Sequence, residues 1–342
     1  MSNVAAKIGL VTTIPVEVLF AAGVVPVDLN NIFITAPDPA KLVEQAELEG
    51  FPRNTCSWVK GIYTAALRHN IGTVIAVMRG DCSNNEAMAE VLRSKGVEIV
   101  PFSFPYPRDR RFLVAEIERL MDRFGTNWDE VEATKRQLDE VRALALRLDE
   151  LTWQTGNVTG FENHIWSVSC SDFNGDPALF QQQLGDLLRQ KESTSRDDQD
   201  GQASIRLGFV GVPPIVTDLY EHVEGLGARV VFNEIQRQFA MPGPAERDVA
   251  QMYLDYTYPY DFEGRLADIE AEVSRRRVDA LIHYVQSFCH HQIQDIILRQ
   301  RIKVPILTLE GDRPGPLDAR SRMRLEAFVE MCRQRAVARS LK

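Results

Sequence analysis

Short apolar runs alternate with amphipathic helical segments over most of the chain, and this alternation restricts the possible folds more than any other feature. The runs in the first part of the chain are rich in β-branched side chains, as strands buried in a sheet are. Strands are predicted at residues 7–13, 31–36, 73–78 and 98–102, and helices at 15–22, 57–68 and 85–95. Such alternation is typical of right-handed crossovers and a mostly parallel sheet.

The same alternation resumes in the last part of the chain. Strands are predicted at 205–210, 228–232, 280–285 and 306–309, and helices at 217–226, 262–276, 291–299 and 320–335. The intervening segment shows only helical patterns and then an almost wholly polar stretch, as linkers and surface loops do. We therefore predict an α/β protein with two Rossmann-like parallel-sheet lobes, at 1–108 and 205–342, a helical region between them at 109–188 and a polar linker at 189–204.

Side-chain spacing predicts the helices of this middle region. An apolar stripe at 113–121 indicates one helix, and Asn127 and Glu130 have the spacing of a capping box at the start of a second. A third helix is predicted at 177–188. We expect these helices to pack as a plain bundle against the sheets.

Composition and charge exclude several classes of partner. The 342 residues are enough for about two domains, and the formal net charge of -9, without a basic stripe, disfavours nucleic acid. No apolar run approaches the roughly 18 residues that span a bilayer, and the start of the chain lacks the pattern of a signal peptide. We expect a cytoplasmic protein without a membrane partner.

Five dispersed cysteines argue against a disulfide framework and for metal binding or catalysis by some thiols. Cys56, Cys82 and Cys289 each lie just before a predicted helix, and the last two also follow predicted strands. Strand ends line the ligand crevice of open α/β sheets, and a helix N-terminus stabilises a thiolate. We expect the three thiols to converge on one point.

Three roles remain open for these thiols. Free cysteines are often small buried apolar side chains. Structural zinc sites usually show paired Cys-x₂₋₄-Cys spacing, which does not occur here. Three unpaired thiolates suit an iron–sulfur cubane with one iron left open, because soft sulfur ligands favour such clusters.

The remaining candidates are weaker. Cys170 is a possible further ligand or substrate contact, the alternative being a buried thiol in a turn, and Cys332 is predicted to be core. His290 and His291 follow Cys289, and consecutive residues at a helix start point about 100° apart, so we expect at most one to face the site. It would bond cluster sulfur or substrate, unless both histidines serve as caps.

Several nucleotide and hydrolase motifs are absent from the sequence. Residues 208–214 follow a predicted strand but lack the G-x-G-x-x-G spacing of a dinucleotide site. The chain also has no phosphate-binding P-loop and no G-x-S-x-G elbow. We therefore expect that it does not hydrolyse ATP itself.

The cysteine segments CSWVKG at 56–61, RGDCSNNEA at 79–87 and QSFCHHQIQDIIL at 286–298 resemble the 2-hydroxyacyl-CoA dehydratase D-component family, which includes benzoyl-CoA reductase subunits. Two further segments are similar to that family, VEVLFAAGVVPVDL at 16–29 and VPILTLEGDRPGPLDARSRMRLEAF at 304–328. The resemblance extends over nearly the whole chain.

The resemblance implies two α/β domains with a helical region, and a [4Fe-4S] cluster on Cys56, Cys82 and Cys289 with one iron position open to substrate. It implies an anaerobic, activator-dependent enzyme, in which a separate ATP-hydrolysing iron–sulfur activator supplies a low-potential electron. In the dehydratases the electron reaches the thioester carbonyl of a 2-hydroxyacyl-CoA, giving a ketyl radical that expels hydroxide. In the reductases electrons enter an aromatic ring. The active form would be a homodimer or a heterodimer with a homologous subunit.

Two alternatives remain within this resemblance. Residues 258–269 and 283–293 are more similar to homodimeric relatives with a double-cubane [8Fe-9S] cluster, which reduce small molecules and would need thiols beyond the three. The other alternative is a non-catalytic iron–sulfur support subunit. Glu310, Asp312 and Arg324 are predicted to line the cleft or to form a loop–helix salt bridge, and His290 and Glu310 are the catalytic candidates.

Overall fold

Two four-stranded parallel sheets organise the chain, in a computed structural model that describes residues 6–193 and 205–340. The first sheet has the strand order β2-β1-β3-β4. Its strands are β1 (Lys7–Leu10), β2 (Val25–Asp28), β3 (Thr73–Arg79) and β4 (Glu98–Ser103). Every pairing is parallel, as the sequence predicts.

The second sheet repeats this order as β6-β5-β7-β8. It consists of β5 (Ile205–Gly211), β6 (Ala228–Asn233), β7 (Ala280–Gln286) and β8 (Ile306–Gly311), all in parallel. Strand β7 is buried along its whole length, and its sequence is mostly apolar rather than alternating, with His283 and Gln286 as its polar residues. The predicted fold class, an α/β protein with two parallel-sheet lobes, is confirmed.

The helices of the first lobe include one correction. They are α1 (Val16–Ala21), α2 (Leu29–Ile34), α3 (Pro39–Leu48), α4 (Ser57–Arg68) and α5 (Ser83–Ser94). The strand predicted at 31–36 is wrong, since these residues lie mostly in α2. The Asp28 side chain caps this helix by accepting the Asn30 N–H, and Leu29 and Phe33 bury one face of it. The second strand is β2, where Pro26 is tolerated because β2 is an edge strand.

The middle region is helical, as predicted. It contains α6 (Arg110–Phe124), α7 (Trp128–Gln154), α8 (Gly160–Val168) and α9 (Pro177–Ser193), with two short 3₁₀ turns, Ser169–Ser171 and Phe173–Gly175. The predicted capping box of Asn127 and Glu130 begins α7. Because α9 extends to Ser193, the start of the predicted linker is helical, and its remainder at 194–204 lies outside the described residues.

The second lobe carries six helices within the described ranges. They are α10 (Leu219–Gly225), α11 (Glu234–Gln238), α12 (Val249–Asp255), α13 (Phe262–Arg275), α14 (His291–Arg301) and α15 (Ala319–Ser340). The sequence predicts four of these six and misses the short α11 and α12. Across residues 6–193 and 205–340, no helix has the length and apolar composition that crossing a bilayer requires.

The apolar cores connect the regions of the chain. The first sheet packs against α6, α7, α9 and α12 in one cluster. Another cluster joins α2, α3 and α4 of the first lobe to β5, β7 and α15 of the second. The lobes are therefore held together by shared core, and the region boundaries proposed from the sequence stay predictions.

Candidate metal centre

The carboxyl ends of strands from both sheets meet at a cavity of about 540 Å³. The loops after β1 and β3 line it from the first lobe, and the loops after β5 and β7 line it from the second. This is where open parallel sheets bind ligands, because connections on the two sides of the strand order diverge there.

All three predicted cysteines line this cavity. Cys56 immediately precedes α4, Cys82 follows β3 and immediately precedes α5, and Cys289 follows β7 and lies two residues before α14. Each side chain is half-buried and none forms a disulfide. The structure thus brings together three thiols separated by up to 233 residues (289 − 56) in sequence.

The helix starts supply backbone donors to these sulfur atoms. Main-chain N–H groups near each sulfur lower the pKa of the thiol and so favour its ionised form. The donors are Trp58 and Val59 for Cys56, Asn84 and Asn85 for Cys82, and His291 and Gln286 for Cys289.

Burial has the opposite effect on the thiols. It raises the pKa of Cys56 to about 11 and that of Cys82 to about 12, and it also raises the pKa of Cys289. The charge of Cys289 contributes to the rise at Cys56, so the thiols lie within electrostatic reach of one another. Three neutral thiols of this kind ionise only when a cation replaces the lost solvent.

Both histidines that follow Cys289 line the cavity, which corrects the expectation that at most one faces the site. Phe288, with φ of 63°, turns the chain before α14, and the rings of His290 and His291 are 4.1 Å apart. Ligand atoms of Cys289, His290 and His291 lie within 4.8 Å of one another, close enough to hold a metal ion.

A buried ion pair supports His291 from behind. Arg265 donates to both carboxylate oxygens of Glu234, at 2.7 and 2.9 Å, and its Nη1 lies 3.2 Å from His291 Nδ1. Burial, followed by the charge of Arg265, holds the pKa of His291 well below its usual value. The imidazole is therefore neutral, as a metal ligand or hydrogen-bond acceptor must be.

The structure places the other predicted residues away from the cavity wall. Cys170 is buried in the core of the first lobe, where its Sγ donates to Trp166 O, and Cys332 is buried on α15. Glu310 is exposed and accepts from Ser287 and Gln292, so it braces the Cys289 loop from outside. Asp312 accepts a hydrogen bond from Gln286 through its carbonyl, and exposed Arg324 donates to Thr308 O.

The cavity also contains acidic residues that the sequence reasoning missed. Asp81 lies next to Cys82, and burial raises the pKa of its carboxyl to about 6. Asp28 and Asp172 also line the cavity, are both buried, and are joined by a hydrogen bond from the Asp28 N–H to the Asp172 carboxyl. A correct assignment of β2 would have placed Asp28 at a strand end, whereas no local pattern marks Asp172.

The donor set fits an iron–sulfur cluster. Three soft thiols line one cavity with main-chain N–H groups near each sulfur, and their raised pKa values call for a cationic partner. Two buried polar atoms in the lining, Gln286 Oε1 and Asn85 Oδ1, have no hydrogen-bond partner among the described residues. A cluster with a bound substrate would offer them one.

The fold and the site define a class of two-lobed α/β proteins in which a cysteine-lined cavity lies between two parallel sheets. Within that class, the chain belongs to the family of the 2-hydroxyglutaryl-CoA dehydratase D-component, whose family model matches residues 11–332. The family is named for a dehydratase subunit and is iron–sulfur related, so the chain is an enzyme component at that general level. No curated protein matches the sequence.

Proposed function

We propose that this chain is the cluster-binding subunit of an activator-dependent 2-hydroxyacyl-CoA dehydratase, with a [4Fe-4S] cluster on Cys56, Cys82 and Cys289. The observation that carries the proposal is the convergence of these three thiols on one cavity. Such a cluster supplies low-potential one-electron chemistry and an open iron position. Three thiols match one cubane, because Cys170 and Cys332 lie in the cores.

The cavity suits the acyl end of a thioester substrate. Its volume of about 540 Å³ lies within the usual range for small-molecule sites. Apolar side chains such as Ile32, Ile165 and Val168 line it and exclude water from the acyl chain. Trp58 Nε1, which lacks a partner among the described residues, would donate to the thioester carbonyl, and Gln286 Oε1 would accept the 2-hydroxyl proton.

Two kinds of partner follow from the proposal. The chain needs an ATP-hydrolysing activator with its own cluster, because its sequence contains no phosphate-binding loop. It also needs a second subunit, either another copy or a homologue, to complete the family's dimeric form. The proposed compartment is an anaerobic cytoplasm, where the thiols stay reduced.

The test combines metal analysis with turnover. Anaerobically reconstituted protein should bind about four iron and four sulfide per chain, as one cubane requires. It should then dehydrate at least one thioester in a panel of 2-hydroxyacyl-CoA compounds, given activator, ATP and reductant. About eight iron per chain would indicate the double-cubane reductase instead. Cluster binding without turnover of any thioester would indicate the support subunit.

A further inference from the structure

Asp28 and Asp172 form a buried carboxyl pair on the cavity wall, here called the Asp28–Asp172 pair. Asp28 ends β2 and Asp172 lies between the two 3₁₀ turns, 144 residues away in sequence. The Asp28 main-chain N–H donates to Asp172 Oδ2 at 2.7 Å, which holds the Asp172 carboxyl against the backbone of Asp28. Both line the cavity that contains the three cysteines, and each is at most 6% exposed.

Neutral groups make all of the hydrogen bonds that the structure shows for this pair. Ser171 Oγ donates to Asp28 Oδ2 at 2.5 Å, and the Asn30 N–H donates to Asp28 Oδ1 at 2.8 Å. The Asn174 N–H donates to Asp172 Oδ1 at 2.9 Å. Among the described residues, no arginine, lysine or histidine forms an ion pair with either carboxyl. Two adjacent buried carboxyls without a cation cannot both ionise at low energetic cost.

The surrounding groups agree with this argument. Burial, followed by the charge of Asp28, raises the pKa of Asp172 to about 7, and burial raises the pKa of Asp28. The charges of the pair act on two titratable side chains, Cys170 and Tyr256. The pKa values of both are raised chiefly by their own burial. The charge of Arg142 also acts on Cys170, but Arg142 pairs with Glu17 and Asp139 rather than with either carboxyl of the pair.

A second observation indicates that a ligand occupies this wall. His164 on α8 lines the same cavity, is 8% exposed, and its Nδ1 has no hydrogen-bond partner among the described residues. Burial lowers the pKa of His164 to about 4, so the ring is neutral. His164 and Asp172, eight residues apart in sequence, both line the cavity, so a ligand that fills it would contact both.

We infer that the Asp28–Asp172 pair shares one proton and acts as the general acid and base of the site, with His164 positioning the substrate. This inference rests on the proposed dehydration of a 2-hydroxyacyl thioester. The protonated carboxyl gives its proton to the departing hydroxyl oxygen as the C2–O bond breaks. The resulting carboxylate takes a proton from C3 as the C2–C3 double bond forms. Water leaves, the overall reaction is redox-neutral, and the pair regains its single proton.

Infrared spectroscopy tests the shared proton without turnover. Iron-free wild-type protein near neutral pH should show the C=O stretching band of a buried protonated carboxyl group. The band should lose most of its intensity in Asp28→Asn and in Asp172→Asn, because each variant has one carboxyl fewer and the neutral amide no longer opposes ionisation of the other. Ser171→Ala keeps both carboxyls and should shift the band without removing it. A wild-type spectrum without the band, or a band that persists in both asparagine variants, overturns the inference.

Turnover separates this inference from the proposed function. Asp172→Asn should keep the iron content and the thioester affinity of wild type while kcat falls about 100-fold or more, as loss of a general acid does. Asp122→Asn, on the exposed face of α6, is the matched control and should keep wild-type kcat. Wild-type kcat in Asp172→Asn would refute the catalytic role while the dehydratase assignment stands. If wild type turns over no thioester, the dehydratase assignment fails, and with it the catalytic role of the pair.

Discussion

The two lobes share one strand order but carry different side chains in the loops that follow equivalent strands. Cys82 follows β3 and Cys289 follows β7, and these strands hold equivalent positions in β2-β1-β3-β4 and β6-β5-β7-β8. The first lobe adds Cys56 before α4, whereas the second adds His290 and His291 at α14. Topology therefore accounts for where ligands can lie, and the loop sequence decides which ligands each lobe supplies.

The same comparison holds at the ends of the second strands. Asp28 ends β2 and bonds to Ser171 and Asp172, whereas Asn233 ends β6 and bonds to Asn163. The segment formed by α8 and the two 3₁₀ turns, residues 160–175, therefore touches both lobes at equivalent places. The contact in the first lobe involves two carboxyl side chains that line the cavity. The contact in the second lobe joins two buried amide side chains, one of which, Asn163, also donates to the Asp149 carboxylate.

Removal of one cysteine at a time gives the largest expected effect and tests whether the lobes contribute equally. Serine is a poor ligand for iron–sulfur clusters, so Cys56→Ser, Cys82→Ser and Cys289→Ser should each lose most of the iron. Iron and sulfide analysis of anaerobically reconstituted protein measures this. Cys332→Ser, buried on α15, is the control and should retain its iron. Full iron in all three cavity variants would defeat the assignment.

Two buried arginine–glutamate pairs can be compared, Glu234 with Arg265 inside the second lobe and Glu17 of the first lobe with Arg142 of α7, and their disruption should differ in magnitude. Glu234→Gln leaves Arg265 buried without any carboxylate partner, so the free energy of unfolding should fall by about 3–5 kcal/mol. Glu17→Gln should have a smaller effect, about 1–3 kcal/mol, because Arg142 keeps Asp139 at 3.1 Å.

Urea unfolding of the iron-free proteins measures both effects. Arg265 also contacts His291, so Glu234→Gln should weaken metal binding as well, whereas Glu17→Gln should leave it unchanged. An equal loss of stability in the two variants would show that Asp139 does not compensate Arg142.

His164, on α8, should make the free energy of unfolding depend on pH, and the sign of this dependence follows from its pKa. Its pKa is about 4 in the folded chain, because burial disfavours the charged ring, against an ordinary value of 6.5. Above pH 6.5 both states are neutral. Between these values the unfolded chain binds more protons, so the free energy of unfolding falls as pH falls, by about 3 kcal/mol in total.

His164→Gln should remove this part of the acid destabilisation. Urea unfolding at pH values above and within that window, compared with wild type, isolates the contribution. His69→Gln, at the exposed end of α4, serves as the control and should keep the wild-type pH dependence. An unchanged acid slope in His164→Gln would contradict the assignment of a neutral buried ring.

The cysteine site could be predicted from sequence because its signals are local. Cys82 stands between an apolar run and an amphipathic segment, and the same pattern surrounds Cys289. The Asp28–Asp172 pair could not be predicted in this way. The contact of Asp28 with Asp172 joins residues 144 positions apart. It also depends on β2, a strand whose sequence pattern is interrupted by Pro26. The α3 helix was missed although Asp38 and Pro39 form a recognisable helix start.

Removal of either capping box has the smallest expected effect on stability. It tests whether the start of α8 positions His164. Thr159 Oγ1 accepts the Glu162 N–H at 3.1 Å to begin α8, as Asn127 does with Glu130 for α7. Thr159→Ala and Asn127→Ala should each lower the free energy of unfolding by about 1 kcal/mol, measured by urea unfolding. Only Thr159→Ala should also weaken thioester binding, because α8 carries His164 into the cavity, whereas α7 begins far along the chain from any cavity residue. Equal thioester affinities in the two variants would mean that the start of α8 stabilises the fold without positioning His164.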